Sequence, residues 1–293
     1  MRSGKCEVAS RVEPPLACTV RDCGRTLTRQ GSSWTCEAGH AFDVSRKGYV
    51  NLLQPQDRRS TAAGDTRASV HARAALLASG IGRASLDAFA ALVSHVRLGD
   101  TAVVVELGCG GGDVLATTAR GRGARAIGID LSVDAIVRAA ASHPDHTWVV
   151  ANADRRLPLA DRSIDLVVSY HGRRNPTECR RVLAPGGTLI VAVPAADDLI
   201  ELRTAVGGRP DHRDRVDALV AEHDADFVLV SRHRLEERHD LSGEQIRWVL
   251  AGTYRGARRS TATAVASLDR LTVTVASDVC VFSPLGRPAA STA

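Results

Sequence analysis

Apolar and polar positions along the chain follow a repeating rhythm. From residue 103 onward, short apolar, mostly β-branched runs at 103–107, 126–129, 149–154, 164–169 and 188–193 are separated by segments long enough for helices. This is the pattern of strands buried in a parallel sheet. Two further strands are expected at 227–231 and 271–275, with a helix at 242–250 and a polar loop at 256–263 between them. Upstream, 69–79 and 85–95 read as helices leading into the first strand of the series. Strands alternating with helices define an α/β fold with a doubly wound sheet. There is no internal repeat.

The first of these strands runs straight into Gly108-Cys109-Gly110-Gly111-Gly112-Asp113. Glycine tolerates a tight strand-to-helix turn and lets a ligand approach the backbone. A helix starting near Asp113 places unpaired N–H groups beside that turn. Strand, glycine turn and helix together predict a nucleotide-type cofactor site. A dinucleotide fingerprint requires glycine at the first, third and sixth positions, and the sixth position from Gly108 is Asp113. Glu106, just before the turn, would repel a pyrophosphate but suits the ammonium of a bound amino acid. S-adenosylmethionine carries that ammonium and no phosphate. Asp130, ending the next strand beside Leu131, is placed to accept hydrogen bonds from ribose hydroxyls. Asn152, Ala153 and Asp154 end the third strand and suit an adenine edge. The plainer reading is a glycine turn among surface acids. Three polar strand ends in succession argue against it, because such sheets bind ligands at the carboxyl ends of their strands.

The region before the sheet has a different character. Residues 1–17 read as a disordered lead-in, followed by Cys18, Cys23, Cys36 and His40 with spacing Cys-x4-Cys-x12-Cys-x3-His. Three thiolates and an imidazole complete a tetrahedral Zn²⁺ site. A module this small needs the metal to fold. The alternative is three buried cysteines and a surface histidine. Cys6 lies outside the cluster and reads as a free thiol. Residues 54–70 are polar and read as a linker. The predicted order is a lead-in (1–17), a zinc-binding module (18–53), linker and helices (54–98), an S-adenosylmethionine-binding domain (99–284) and a disordered tail (285–293).

Composition narrows the partners. With 293 residues, 44% hydrophobic and 24% charged, the chain has the make-up of a soluble globular protein. No apolar run approaches a bilayer span, and the first residues lack the apolar core of a signal peptide, so no membrane is expected and the cytoplasm is the default compartment. There its seven cysteines stay reduced, favouring metal over disulfide for the clustered ones. The net charge is +5, and of 38 basic residues only Lys5 and Lys47 are lysines. Between Cys18 and Arg73 nine basic residues face five acidic ones, with Trp34, Phe42 and Tyr49 interleaved. Such a surface suits RNA phosphates and bases, and Arg46 and Lys47 are expected on it. A solvated face with a few core aromatics is the bland alternative.

The zinc cluster, Phe42-Asp43, Gly48-Tyr49-Val50-Asn51-Leu52-Leu53, Gly64-Asp65-Thr66, Ala72-Arg73, the glycine loop, Asn175-Pro176, Arg180-Arg181-Val182-Leu183 and Pro185-Gly186-Gly187 together resemble the bacterial 23S ribosomal RNA guanine-N1 methyltransferases. That family includes housekeeping enzymes and macrolide-producer self-resistance enzymes. The resemblance spans roughly residues 16–284. It implies a Rossmann-like class I methyltransferase sheet, S-adenosylmethionine and Zn²⁺ as cofactors, and methylation of a looped or flipped guanine in 23S rRNA. Antibiotic resistance and a homodimer are compatible with it. The chain departs from the family in four places. The first knuckle is two residues longer, His171-Gly172-Arg173 replaces an aromatic-Ala-Pro run, Gly82 stands for a tyrosine, and Asp198 replaces a histidine that resembles a cofactor contact. His171, at the end of the fourth strand, is the candidate general base for the guanine N1 proton, the alternative being a stacking or exposed ring. Two rival functions remain: a small-molecule methyltransferase, against which the basic zinc module argues, and a cofactor-binding regulator, against which the complete set of Glu106, Asp130 and Asp154 argues.

Overall fold

The computed structural model describes residues 13–21, 23–58, 65–206, 214–252 and 268–286. Cys6, Gly64, the loop at 256–263 and most of the expected tail lie outside them. In chain order the elements begin with β1 (Thr28–Gln30), β2 (Ser33–Thr35), β3 (Ala41–Asp43), β4 (Tyr49–Asn51), α1 (Arg67–Ala78) and α2 (Arg83–Ser94). The central series is β5 (Val103–Leu107), α3 (Asp113–Ala119), β6 (Arg125–Asp130), α4 (Val133–Ser142), β7 (Thr147–Val150), β8 (Ile164–Tyr170), α5 (Pro176–Val182) and β9 (Leu183–Pro194). The chain then forms α6 (Ile200–Ala205), α7 (Arg215–His223), β10 (Phe227–Ser242), α8 (Gly243–Gly252) and β11 (Arg270–Pro284).

Two sheets result. β1, β2 and β3 make a three-stranded antiparallel sheet, and the other eight strands lie in the order β10-β11-β9-β8-β5-β6-β7-β4. The pairs β4·β7, β7·β6, β6·β5, β5·β8 and β8·β9 are parallel, while β11 runs antiparallel to both β9 and β10. Every residue of β5 is buried, Glu106 included, as expected of a strand with helices on both faces. α4 is fixed by its Ser132 cap, whose side chain accepts the Ala135 N–H at 3.2 Å. One face of the sheet gathers Phe89 and Val93 of α2, Leu115 of α3 and Ile136 of α4. The opposite face packs Cys179 of α5 and Leu219 of α7.

Three of the differences from the sequence expectation bear on the domain plan. Leu16 is fully buried and bridges to Leu159, so the ordered chain begins before Cys18 and only 1–12 of the expected lead-in fall outside the described residues. β4, inside the expected zinc module, is a strand of the large sheet, with Val50 opposite Val149. Its pairing extends to Leu52, whose N–H donates to the Val150 carbonyl at 3.0 Å. The third difference is the length of the β10–β11 hairpin. β9 covers β11 only between Ser277 and Phe282, so 270–276 and their β10 partners overhang the sheet. On this overhang Leu241, Val273, Ile246 and Val249 of α8, Leu202 of α6 and Ile81 form a second, smaller core, which walls the carboxyl edge of the sheet. Among the described residues no single helix is long and apolar enough to cross a membrane.

Candidate cofactor cleft and zinc centre

The glycine loop is pinned from below by two carboxylates. Glu106 is 1% exposed, and its Oε2 accepts the Leu115 N–H at 2.8 Å. Burial pushes its pKa well above the usual range. It therefore ties the amino end of α3 beneath the loop, rather than standing open at the loop's mouth as its expected ammonium contact requires. Asp130 accepts the Gly110 N–H at 2.9 Å on Oδ2 and the Ser132 N–H at 2.8 Å on Oδ1. A carboxylate has about four lone-pair sites, so acceptor capacity remains for ribose hydroxyls. Burial raises the Asp130 pKa, and the two N–H donors and the Arg73 guanidinium act in the other direction.

Gly108 has φ 70°, and a Cβ there would lie 2.8 Å from the Gly172 Cα. Only a glycine lets the loop and the end of β8 meet so closely. No neighbouring atom stands within 4 Å of the Cβ position at Gly110, so open space lies beside that residue. Leu131 is half-buried beside Asp130.

Asn152, Ala153 and Asp154 follow β7 instead of ending it. Asn152 and Ala153 are buried. The Asn152 Oδ1 accepts the Asp154 N–H at 3.0 Å. The Asp154 Oδ2 takes the Arg173 Nε at 2.6 Å, a partner across the rim that the sequence did not signal. Arg73 and Asp65 were also missed as site residues. They form an ion pair, the Ser132 hydroxyl donates to the Asp65 carbonyl at 2.6 Å, and Arg73 reaches the Gly252 carbonyl at 3.0 Å. The opening of α1 thus lies over Asp130. Both residues belong to the resemblance motifs, which were the one signal available.

His171 holds φ 56°, a left-handed conformation uncommon for a non-glycine residue and enriched at functional sites. Its ring stacks on Tyr170 at 4.6 Å, and its Nε2 pairs with the Ser277 hydroxyl at 2.9 Å. The residue as a whole is exposed, while the packing of the ring against Tyr170 and Ser277, with Arg215 and Arg73 nearby, pushes its pKa down to about 4. A general base works best with a pKa near the operating pH, so this environment suits a neutral hydrogen-bonding imidazole better than a proton store. Asp198, expected among the cofactor contacts, stands beyond the end of β9. Its Oδ1 accepts the Ala276 N–H at 3.0 Å, and burial raises its pKa to about 6.

The four zinc candidates converge. Cys18 Sγ and Cys36 Sγ lie 3.4 and 3.5 Å from His40 Nδ1, and Cys23 Sγ lies 3.8 Å from Cys36 Sγ. All four donor atoms fall within 4.8 Å of one another. A tetrahedral ion with Zn–S of about 2.3 Å and Zn–N of about 2.0 Å places its ligands roughly 3.5–3.8 Å apart, so the set fits Zn²⁺. The longer first knuckle closes through the Cys23 N–H to Val20 carbonyl and Gly24 N–H to Cys18 carbonyl bonds, at 3.0 and 3.2 Å. Arg46 and Lys47, expected on the RNA-facing surface, precede the amino end of β4. Because β4 runs parallel to β7 and β6, they lie at the opposite end of the sheet from the cofactor cleft.

A parallel sheet with its acids at the carboxyl ends, a pinned glycine loop and no phosphate-binding fingerprint defines an S-adenosylmethionine-dependent methyltransferase. The comparisons with known proteins agree. Residues 104–187 match a methyltransferase-domain family, and residues 17–61 match a zinc-ribbon family described as "RlmA, N-terminal". The "23S rRNA (guanine(748)-N(1))-methyltransferase" of Streptomyces fradiae is 37% identical over 80% of this chain and 82% of its own. A "Putative 23S rRNA (guanine-N(1)-)-methyltransferase" of Micromonospora griseorubida is 32% identical over 93% of this chain and 98% of its own. A Bacillus subtilis protein of the same description is 35% identical over 76% and 80%. The chain belongs to the 23S rRNA (guanine-N1)-methyltransferase family.

Proposed function

We propose that this protein methylates N1 of a guanine in 23S ribosomal RNA. The observation that carries the reading is the union of the zinc ribbon with the methyltransferase sheet. Leu27 and Trp34 of the ribbon share one core with Leu157 and Leu159 of the large domain, and β4 is hydrogen-bonded into the large sheet. A small acceptor needs no basic zinc module built into the catalytic fold. When bound, S-adenosylmethionine supplies a methyl group on a sulfonium, already a good leaving group.

The protein's own work is alignment, worth about 7–11 kcal/mol in favourable cases. Asp130, Asn152 and Asp154 are placed to hold the nucleoside portion, and Glu106 keeps α3 and the glycine loop in register. His171, neutral near pH 7, accepts a hydrogen bond from the guanine N1–H and orients it, and the N1 proton passes to solvent as the N1–methyl bond forms and the sulfonium carbon–sulfur bond breaks. N1 lies on the Watson–Crick edge, so the target base is in a loop or flipped from its stack. The reaction belongs in the cytoplasm, where ribosomes are assembled. A methyl group on that edge alters a ribosomal drug site, which is how such an enzyme confers resistance to a ribosome-targeting antibiotic.

The test supplies labelled S-adenosylmethionine together with 23S rRNA and a small-molecule extract. Label in RNA is expected. Label in the small-molecule fraction would support a biosynthetic methyltransferase, and no transfer at all would support a cofactor-binding regulator.

A further inference from the structure

A groove of about 510 Å³ lies where the first zinc knuckle meets the segment after β7, lined by Thr19, Arg21, Gln56, Arg155 and Arg156 among others. The two segments are far apart in sequence and are brought together by the β4·β7 pairing and the shared core. Arg21, Arg155 and Arg156 are exposed. Among the described residues none of the three has an ion-pair partner, and no acidic side chain lines the groove. Elsewhere in the ribbon Arg25 is paired with Glu37; what sets this groove apart is that three arginines from two distant segments converge on one cavity.

Arg156 also approaches the zinc knuckle. Its guanidinium lies over the knuckle backbone, where a Cβ on Gly24 would come within 3.1 Å of Nη2. Gln56 adds an uncharged donor and acceptor. Unlike Arg46 and Lys47, the groove opens at the carboxyl ends of β4 and β7, on the cofactor side of the sheet. Arg155 follows Asp154 directly, within about 10 Å of chain from Asn152.

We propose that this groove takes the sugar–phosphate backbone of the RNA strand that carries the acceptor base, with Arg21, Arg155 and Arg156 on its phosphates. The inference rests on the RNA-methylating reading and replaces Arg46 and Lys47 as the expected grip. Guanidinium forks match phosphate oxygens in pairs. A strand seated there touches both the zinc knuckle and the loop that presents Asn152 and Asp154, so RNA binding and the cofactor rim share one segment of chain.

The test measures binding of the zinc-loaded, full-length protein to in vitro-transcribed 23S rRNA across a salt series. Each neutralised phosphate contributes about 0.7 to the slope of log K against log salt for single-stranded contacts. Arg155→Ala with Arg156→Ala should therefore reduce the slope by roughly 1.4. The Arg46→Ala, Lys47→Ala pair should leave it unchanged. Zinc content, melting temperature and S-adenosylmethionine affinity should be kept in both. An unchanged slope in the Arg155/Arg156 variant, or a flattened one in the Arg46/Lys47 variant alone, overturns the groove. A wild-type protein that neither binds RNA salt-dependently nor methylates it overturns the RNA reading itself, a distinct outcome.

Discussion

Gly110 and Gly112 stand two residues apart and serve different ends. Both have positive φ, 51° and 83°, but a Cβ on Gly112 would meet the buried Trp148 ring at 2.4 Å. Gly112→Ala should thus cost about 1–3 kcal/mol of stability through overpacking, read from the denaturant midpoint. Gly110→Ala adds only backbone strain and a methyl group aimed into open space. It should reduce S-adenosylmethionine affinity tenfold or more in calorimetry with a smaller loss of stability. Intact affinity in Gly110→Ala would show that the cofactor does not pass over that residue.

The charge state of His171 is a second residue-scale prediction. Its folded pKa of about 4 lies below the unfolded value near 6.5. Its contribution to stability is therefore complete above about pH 6.5 and lost as pH falls through about 4. An NMR titration should find the midpoint near 4, and Arg73→Ala should raise it. A midpoint near 6.5 would mean that the ring stands in open water. At this scale the sequence revealed which residues gather but not which way they face. Asp130 ends β6 and Glu106 stands one residue before the end of β5. Only their partners separate them: the Leu115 N–H of α3 on Glu106, and the Gly110 and Ser132 N–H groups on Asp130.

Among the elements, β5 was legible to the residue, because its β-branched run stops directly at the glycine turn. α1 and α2 were legible to within about two residues. β10 was not, because half of the expected apolar alternation is missing. Its segment Arg232-His233-Arg234-Leu235-Glu236-Glu237-Arg238-His239 is an edge strand dominated by charge, and only the pairing from Phe227↔Pro284 to Ser242↔Arg270 reveals its length. Edge strands carry such charges to resist further pairing. The zinc ribbon was legible from four ligands, yet its merger with the large domain was not. Cys36→Ser should abolish the one-to-one zinc stoichiometry in elemental analysis. Because Cys18, Leu27, Trp34 and Cys36 belong to the main core, it should also lower the melting temperature of the whole chain, by about 2–4 °C for each kcal/mol lost. Cofactor binding, at the far ends of β5 and β6, should survive in the folded fraction. Separate melting of ribbon and sheet would contradict the shared core.

For the molecule as a whole, the proposed activity depends on three parts meeting along one edge of a sheet. In that reading the glycine loop and Asp130 form the cofactor floor, the overhanging hairpin with α1 and α8 forms a wall, and the zinc knuckle forms a basic approach. The sequence showed the first and last as motifs but not their adjacency. That adjacency depends on a three-residue strand, β4, pairing with a partner about a hundred residues away, which no local pattern encodes. The central claim is that this edge delivers a methyl group to guanine N1 of 23S rRNA. Its most direct test is nucleoside mass spectrometry of 23S rRNA after reaction with the purified protein, with the position located by a reverse-transcriptase stop. The account predicts N1-methylguanosine at a single unpaired guanine, absent from an Asp130→Ala reaction at limiting cofactor. A methyl group on another base or another ring atom, or RNA left unmodified while a small molecule is methylated, would contradict it.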